Sequence, residues 1–157
     1  MRKLLSSGLV LAGVVSLPVG VSPRQSETPP VPESRKDPRL ETLRSFFQKA
    51  DCPAVQYSSE FLEAADDNDL DWRLLPSISY VESTGGKSAP HNNLFGWNSG
   101  RAHFSSPVES IHAVGYRLAH SDLYKDKNLD AMLATYNHAA EYAEKVKSVM
   151  QRIAPVE

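Results

Sequence analysis

From residue 38 onward, apolar residues in this chain recur at spacings of three and four, which is the period of an α-helix. The clearest run contains Leu74, Leu75, Ile78 and Val81. No segment alternates apolar and polar residues as a half-buried strand does. The sequence therefore predicts a compact all-α domain, or an α-dominated α+β domain, of about six helices.

Residues at the expected helix starts support this interpretation. Asp37 precedes Pro38, which combines an N-cap residue with proline at the first helical position. The segment Ser-Pro-Val-Glu over 106–109 is a capping box with proline at the same position. Both patterns satisfy backbone N–H groups that a helix start leaves without intrahelical partners. They predict where the first helix and a helix after residue 106 begin.

The remaining helices are predicted from weaker signals. Ser58 or Ser59 is expected to cap a second helix and Asp71 a third, in which Pro76 indicates a late start or a kink. In the helix after residue 106, Tyr116 is expected on the apolar face. The last two helices are predicted over 129–136 and, from their apolar positions, at Tyr142, Val146, Val149 and Ile153.

The N-terminal quarter of the chain does not resemble a folded domain. The basic pair Arg2-Lys3 precedes an uncharged apolar run over 4–21, which predicts that 1–22 is a signal peptide or a retained N-terminal anchor. The proline-rich, polar segment 23–37 is expected to be a disordered linker. The folded domain is then 38–157, and we expect a secreted or periplasmic protein of the cell envelope. Membrane attachment is expected only if the N-terminal segment is retained.

Composition excludes several classes of site. Cys52 is the only cysteine, so an internal disulfide is impossible and the domain must fold on its core alone. The five histidines are scattered without a metal-ligand spacing, and we expect no metal and no cofactor. Basic and acidic residues number 17 and 19, with no basic stripe, so nucleic-acid binding is not expected. We expect a monomer.

Glu82 is the most suggestive side chain in the predicted third helix. It follows Ile78 by four residues and Leu75 by seven, so it lies beside the apolar face. Gly85 and Gly86 are expected to end the helix just beyond it. Partial burial and the negative end of the helix dipole both raise a carboxyl pKa, which suits a general acid for glycoside cleavage. The alternative is an ordinary surface glutamate near a helix end.

The segment Asn-Asn-Leu-Phe-Gly-Trp over 92–97 follows closely and suits a sugar ligand. Amide groups of asparagine can pair with sugar hydroxyls or an acetamido group, and flat aromatic faces can pack on pyranose rings. Gly96 allows close approach of the backbone. Tyr136-Asn137 adds a further polar patch at the end of a predicted helix. The alternative is an asparagine-rich turn without a ligand.

Together these segments resemble the lysozyme-like superfamily of bacterial cell-wall glycosidases. The similarity rests on Leu-Leu-Pro-Ser-Ile-Ser-Tyr-Val-Glu-Ser at 74–83, Asn-Asn-Leu-Phe-Gly at 92–96 and Ala-Thr-Tyr-Asn at 134–137. Glu-Tyr-Ala-Glu-Lys-Val at 141–146 is similar to the last helix of that superfamily. The glucosaminidase-domain family is most similar, with similarity also to soluble lytic transglycosylases, and the likeness covers about 69–150.

The resemblance implies cleavage of β-1,4 bonds between N-acetylglucosamine and N-acetylmuramic acid in peptidoglycan glycan strands. By position, Glu82 matches the catalytic acid and Ser83 the residue that supports it. The turn matches the substrate groove, and Tyr136 matches a tyrosine near the reacting sugar. The expected substrate-binding residues are therefore Ser83, Asn92, Asn93, Phe95, Gly96, Trp97, Tyr136 and Asn137.

The chain departs from the family pattern in one important way. Only about nine residues separate Glu82 from the groove turn, none is acidic, and no second carboxylate is evident for a two-acid scheme. We therefore expect a single general acid assisted by the acetamido group of the substrate. Hydrolysis and lytic transglycosylation both remain open. So do a wall-binding module of the same fold without catalysis and a periplasmic interaction protein.

Overall fold

The computed structural model describes residues 37–155, and within this range the chain is all-α, as the sequence predicts. Two short 3-10 segments, Pro53–Tyr57 and Pro90–Asn92, lie between helices. The described α-helices are α1 (Pro38–Lys49), α2 (Ser58–Asp66), α3 (Leu74–Ser83), α4 (Pro107–His120), α5 (Leu129–Tyr136) and α6 (Tyr142–Ile153).

The two strong start signals are confirmed. The Asp37 side chain accepts a hydrogen bond from the backbone N–H of Arg39 at 2.9 Å, and α1 begins at Pro38. At α4, the Ser106 hydroxyl accepts from the Glu109 N–H at 3.1 Å. The Glu109 carboxylate accepts in return from the N–H of Ser105 at 2.5 Å, one residue earlier than in the usual capping box.

Three of the weaker predictions need correction. Ser58 does not cap α2 but begins it, because the 3-10 segment leads directly into the helix and the Ser58 hydroxyl donates to the Val55 carbonyl. Tyr116 is 62% exposed and lies outside the apolar face of α4. Asp71 does not cap α3, whose N-cap residue is Arg73; its side chain instead accepts from the N–H of Arg73 in the turn before the helix. The helix begins only at Leu74, so Pro76 falls in the first turn, where it does not break a helical hydrogen bond.

The core is built where α3 lies against α6 and α2 against α4. Gly115 allows α4 to approach its neighbours, since an added Cβ would lie 3.2 Å from Leu75 Cδ1 and 3.4 Å from the Ala64 carbonyl oxygen. Cys52 is buried, and burial raises the pKa of its thiol, which fits a packing role. The largest fully buried side chains include Phe47, Phe61, Phe95, Leu43, Leu75, Ile78 and Leu94.

The predictions for the N-terminal segments lie outside the described residues. These are the signal peptide or anchor over 1–22 and the linker over 23–37, of which only Asp37 is described. Among residues 37–155, no helix has the length and apolar character needed to span a membrane.

Candidate active site

Glu82 is the penultimate residue of α3, and the helix ends immediately after it. Thr84 adopts a left-handed conformation with φ of 54°, and its N–H bonds back to the Tyr80 carbonyl at 3.0 Å. Gly85 and Gly86 continue with positive φ, as expected for residues that terminate a helix. This tight ending places the Glu82 side chain at the edge of the helical core and not on an extended helix surface.

Ser83 links the end of α3 to the loop that follows through hydrogen bonds of its hydroxyl group. Its hydroxyl lies 3.0 Å from the Ser79 carbonyl oxygen and 2.8 Å from the Leu94 carbonyl oxygen, and it accepts from the Gly86 N–H at 3.0 Å. The residue is 3% exposed. Ser83 therefore sets the distance between the helix carrying Glu82 and the loop over 93–97, and it does not reach solvent.

The loop over 93–97 is closed by one asparagine side chain. The Asn93 amide oxygen accepts from the Trp97 N–H at 2.9 Å, and its amide nitrogen donates to the Trp97 carbonyl at 3.0 Å. Phe95 is fully buried and anchors the loop in the core. With these contacts made, Trp97 is held at the surface end of the loop, half-buried.

Gly96 is in direct contact with the Glu82 carboxyl group. A Cβ added at Gly96 would lie 2.7 Å from Glu82 Oε2, well inside contact distance. The residue has φ of 58°, a conformation that favours glycine. Both observations mean that the position of the carboxyl group depends on a glycine at 96.

The carboxyl group opens into a cleft of about 940 Å³. Of the described residues that line it, Glu82 is the only carboxylic acid. Its walls are Gly96, Trp97, Asn98, Ser99, Ala102, His103, Phe104, Arg117, Tyr124, Tyr136, Asn137, His138 and Ala139.

Aromatic rings form the interior of this cleft. The Trp97 ring lies 5.6 Å from that of Tyr136 and 6.1 Å from that of Tyr124, measured between centroids. Tyr136 stacks on Tyr142 at 5.8 Å with an interplanar angle of 7°. The Tyr136 hydroxyl donates to the Phe95 carbonyl oxygen at 2.5 Å, which ties α5 to the loop. The cleft therefore combines one acid with flat apolar surfaces.

Burial raises the pKa of Glu82 above the ordinary value for a glutamic acid, and the nearby Tyr142 hydroxyl offsets part of that rise. Tyr142 Oη is buried, and within the described residues no group meets it at full hydrogen-bond distance and angle. Its effect on Glu82 is therefore that of a close dipole and not of a well-formed bond. Burial and the negative charge of Glu82 together raise the pKa values of Tyr136 and Tyr142, so both hydroxyls remain protonated.

The structure brings part of the expected site together. Five of the residues expected from the sequence line the cleft: Glu82, Gly96, Trp97, Tyr136 and Asn137. The other four residues expected from the sequence do not line this cleft. Ser83, Asn93 and Phe95 are buried, because their polar groups or rings hold the loop in place. Asn92 faces a separate, smaller pocket and donates to the Phe104 carbonyl at 2.9 Å.

Sequence reasoning missed several cleft residues. His103 and Phe104 belong to the same turn as Trp97, and extending the predicted turn to residue 104 would have included them. Arg117 and Tyr124 come from α4 and the segment after it, and no local signal distinguishes them from surface residues. Tyr142 was assigned correctly to the apolar face of α6, but its closeness to Glu82 depends on how α6 packs against α3.

No group of three or more histidine, cysteine, aspartate or glutamate side chains in residues 37–155 could hold a metal ion. His91 and His103 form a stacked pair, with ring centroids 3.7 Å apart and an interplanar angle of 13°. Parallel rings do not converge their nitrogens on one point, so this pair does not form a chelating site.

No family model matches the chain, and no curated protein matches it.

Proposed function

We propose that this chain is an exported glycosidase that cleaves β-1,4 bonds between N-acetylglucosamine and N-acetylmuramic acid in peptidoglycan, with Glu82 as its general acid. The observation that carries the proposal is the half-buried Glu82 carboxyl group at the base of an aromatic-lined cleft. Its raised pKa favours the protonated form that a general acid needs. The resemblance to the lysozyme-like cell-wall glycosidases supports the choice of polymer.

The cleft suits a glycan strand in shape and chemistry. Trp97 and Tyr136 offer flat faces for pyranose rings, and Asn137 and His138 offer polar groups for hydroxyls at the rim. A cleft of about 940 Å³ has room for several sugar units. These features explain why a long, polar glycan strand would be held with one glycosidic bond above Glu82.

The reaction proposed for this cleft uses one carboxyl group. Glu82 donates its proton to the glycosidic oxygen as the bond between that oxygen and the anomeric carbon breaks. The carbonyl oxygen of the substrate acetamido group attacks the anomeric carbon and takes up the positive charge that develops there. Water then adds at the anomeric carbon, the bond to the acetamido oxygen breaks, and a proton returns to Glu82. No second carboxylate lines the described part of the cleft, which favours this substrate-assisted route over a two-acid scheme.

The same observation supports lytic transglycosylation as a second candidate. When the 6-hydroxyl of the muramoyl sugar attacks the anomeric carbon in place of water, the bond to the acetamido oxygen breaks and the hydroxyl proton returns to Glu82. The product is then a 1,6-anhydro sugar. This route needs no residue to position a water molecule. Mass spectrometry of the products distinguishes the two, because the anhydro product is lighter than the hydrolytic product by one water.

Replacing Glu82 with glutamine tests the proposal. The Glu82→Gln variant keeps the size of the side chain but has no acidic proton, so release of muropeptides from purified cell wall should fall by about 10³-fold. Wild-type and variant proteins are compared in a turbidity assay and by chromatography of released fragments. Unchanged release by the variant would contradict the proposal. Binding of wild-type protein to the wall without turnover would instead indicate a binding module.

The stability of the Glu82→Gln variant serves as a control, because the direction of its change relative to wild type can be predicted. A carboxyl group whose pKa is raised by folding costs no stability below its ordinary pKa of about 4.3. The cost grows as the pH rises above that value and is complete once the pH exceeds the raised pKa of the folded state. Glu82→Gln should therefore be as stable as wild type in acid and equally or more stable at neutral pH. Thermal unfolding at several pH values measures this, and a loss of stability at neutral pH would mean that lost activity reflects misfolding.

A further inference from the structure

Among the described residues, Arg117 presents a positive charge without a carboxylate partner in the Glu82 cleft. It lies on α4 and is exposed, and its guanidinium carbon lies 5.5 Å from the centroid of the Trp97 ring. Within residues 37–155, no carboxylate forms an ion pair with it and no acceptor takes a hydrogen bond from its guanidinium group. The ring fixes one face of the guanidinium and leaves its N–H groups free for a ligand.

The surroundings of Arg117 contrast with those of Arg39 and Arg73, whereas Arg152 also lies over aromatic rings but lines a different pocket. Arg39 pairs with Asp37 and Asp66, and Arg73 pairs with Asp71, so these guanidinium groups already hold carboxylates of the chain itself. The chain as a whole carries a net charge of −2. Near Arg117, however, the described titratable residues of the cleft are one acid, Glu82, the tyrosines Tyr124 and Tyr136, and two histidines, His103 and His138. An anionic ligand in the described part of the cleft therefore meets a single acid, Glu82, against the positive charge of Arg117.

A guanidinium group beside an aromatic ring is suited to a sugar that carries a carboxylate. The ring packs on the pyranose while the planar fork of N–H groups donates hydrogen bonds to both carboxylate oxygens. An uncharged polymer of N-acetylglucosamine offers hydroxyl and carbonyl acceptors to that fork but no carboxylate to form an ion pair. Peptidoglycan offers two kinds, the lactyl carboxylate of muramic acid freed of peptide and the carboxylates of the stem peptide.

We infer that Arg117 is a specificity-determining residue that binds a carboxylate carried by the glycan strand, and so selects anionic strands over uncharged ones. This inference rests on the proposed function, because it concerns a ligand in the cleft of Glu82. Trp97 positions the guanidinium group, and the carboxylate of the strand forms an ion pair with it.

Binding of soluble strands tests the inference without turnover if all proteins carry Glu82→Gln. Three ligands are compared by calorimetry: strands with stem peptides, strands freed of peptide, and strands whose carboxylates are converted to amides. Adding Arg117→Gln should weaken binding of carboxylate-bearing strands about tenfold and leave amidated strands unchanged. Comparing peptide-bearing with peptide-free strands identifies which carboxylate is bound. Arg117→Gln should cause the larger loss of affinity for the strand that carries that carboxylate.

Two further variants serve as matched controls. Arg117→Lys keeps the charge but lacks the planar fork, and should lose less affinity than Arg117→Gln. Arg101→Gln removes an exposed arginine from the loop next to Trp97 that does not line the cleft, and should bind like its parent. Thermal unfolding verifies that each variant is folded.

The outcomes separate this inference from the proposed function. Equal loss on charged and amidated strands would show that Arg117 acts only through Trp97, and no loss on either would show that it makes no contact; both results overturn the inference. In either case, cleavage of cell wall by the wild-type protein would leave the proposed function intact. If the wild-type protein neither cleaves nor binds any strand, the proposed function fails and the inference fails with it.

Discussion

Gly96 and Glu82 depend on each other at the scale of single residues. The carboxyl group occupies the space that a side chain at 96 would need, and the backbone at 96 has the positive φ that glycine tolerates. Sequence reasoning selected both residues, but for separate reasons, a helix-edge acid and a close backbone approach. That the two touch follows from the Ser83 hydroxyl, which holds the end of α3 against the loop.

Substitution of Gly96 by alanine should damage both stability and activity. The left-handed backbone alone should cost about 1 kcal/mol of unfolding free energy, and the new Cβ should push Glu82 from its place. We expect activity on cell wall to fall at least about tenfold, since small displacements of a catalytic group are costly. Denaturant unfolding and muropeptide release measure the two effects.

Gly100→Ala is the matched control for that variant. Gly100 has φ of 78°, but an added Cβ would meet nothing within 4 Å. It should therefore show a similar backbone cost and retain activity. Equal activity losses in the two variants would show that backbone strain in the loop, and not contact with Glu82, explains the effect of Gly96→Ala.

At the scale of elements, helix ends position the cleft. Glu82 lies at the end of α3 and Tyr136 at the end of α5, while Arg117 lies near the end of α4. The starts of α1 and α4 were predictable from sequence, because capping is a local interaction between neighbouring residues. The start of α2 was not, because the 3-10 segment before Ser58 replaces the expected cap.

The Ser106 cap of α4 should be measurable as a separate contribution. Ser106→Ala removes the acceptor for the Glu109 N–H and should lower the free energy of unfolding by about 1 kcal/mol. Ser105→Ala is the control, because Ser105 takes part in the cap only through its backbone N–H, which the substitution keeps. Equal stability of the two variants would show that the Ser106 side chain contributes nothing to α4.

At the scale of the whole molecule, the acid and the hydroxyl that tunes it come from helices far apart in the chain. Glu82 is on α3 and Tyr142 is the first residue of α6, and the two helices lie against each other. The Tyr142 hydroxyl lowers the pKa of Glu82 and so opposes the effect of burial. The pH range of the proposed acid is therefore a property of the α3–α6 contact.

Tyr142→Phe should shift the pH dependence in one direction. Without the hydroxyl, the pKa of Glu82 should rise further, and a general acid would stay protonated to higher pH. The alkaline limb of the kcat/KM profile should move to higher pH. The titration midpoint of the Glu82 carboxyl carbon, followed by NMR, should also move to higher pH, and this measurement does not require activity. Stability should not fall, because the hydroxyl is buried without a well-formed hydrogen bond.

Tyr80→Phe is the control on the same helix as Glu82. The Tyr80 ring packs against Phe46, with centroids 5.4 Å apart, and lines a different pocket. The titration of Glu82 should be unchanged in this variant. A downward shift of the Glu82 titration in Tyr142→Phe would mean that the hydroxyl favours the protonated acid, contrary to the structure.

The sequence by itself determined the all-α class, most helix bounds and the most suggestive acid. These depend on apolar periodicity and on contacts between residues close in the chain. Such features can be recognised from the amino-acid sequence without a structure. Only the tertiary structure decided which residues share the cleft. It placed Ser83, Asn93 and Phe95 inside the protein as supports, and it brought Arg117 and Tyr124 beside Trp97. A side chain in a turn can face either solvent or the core. The packing of the helices against the turn determines which of the two it faces, and this packing is not evident from the local sequence.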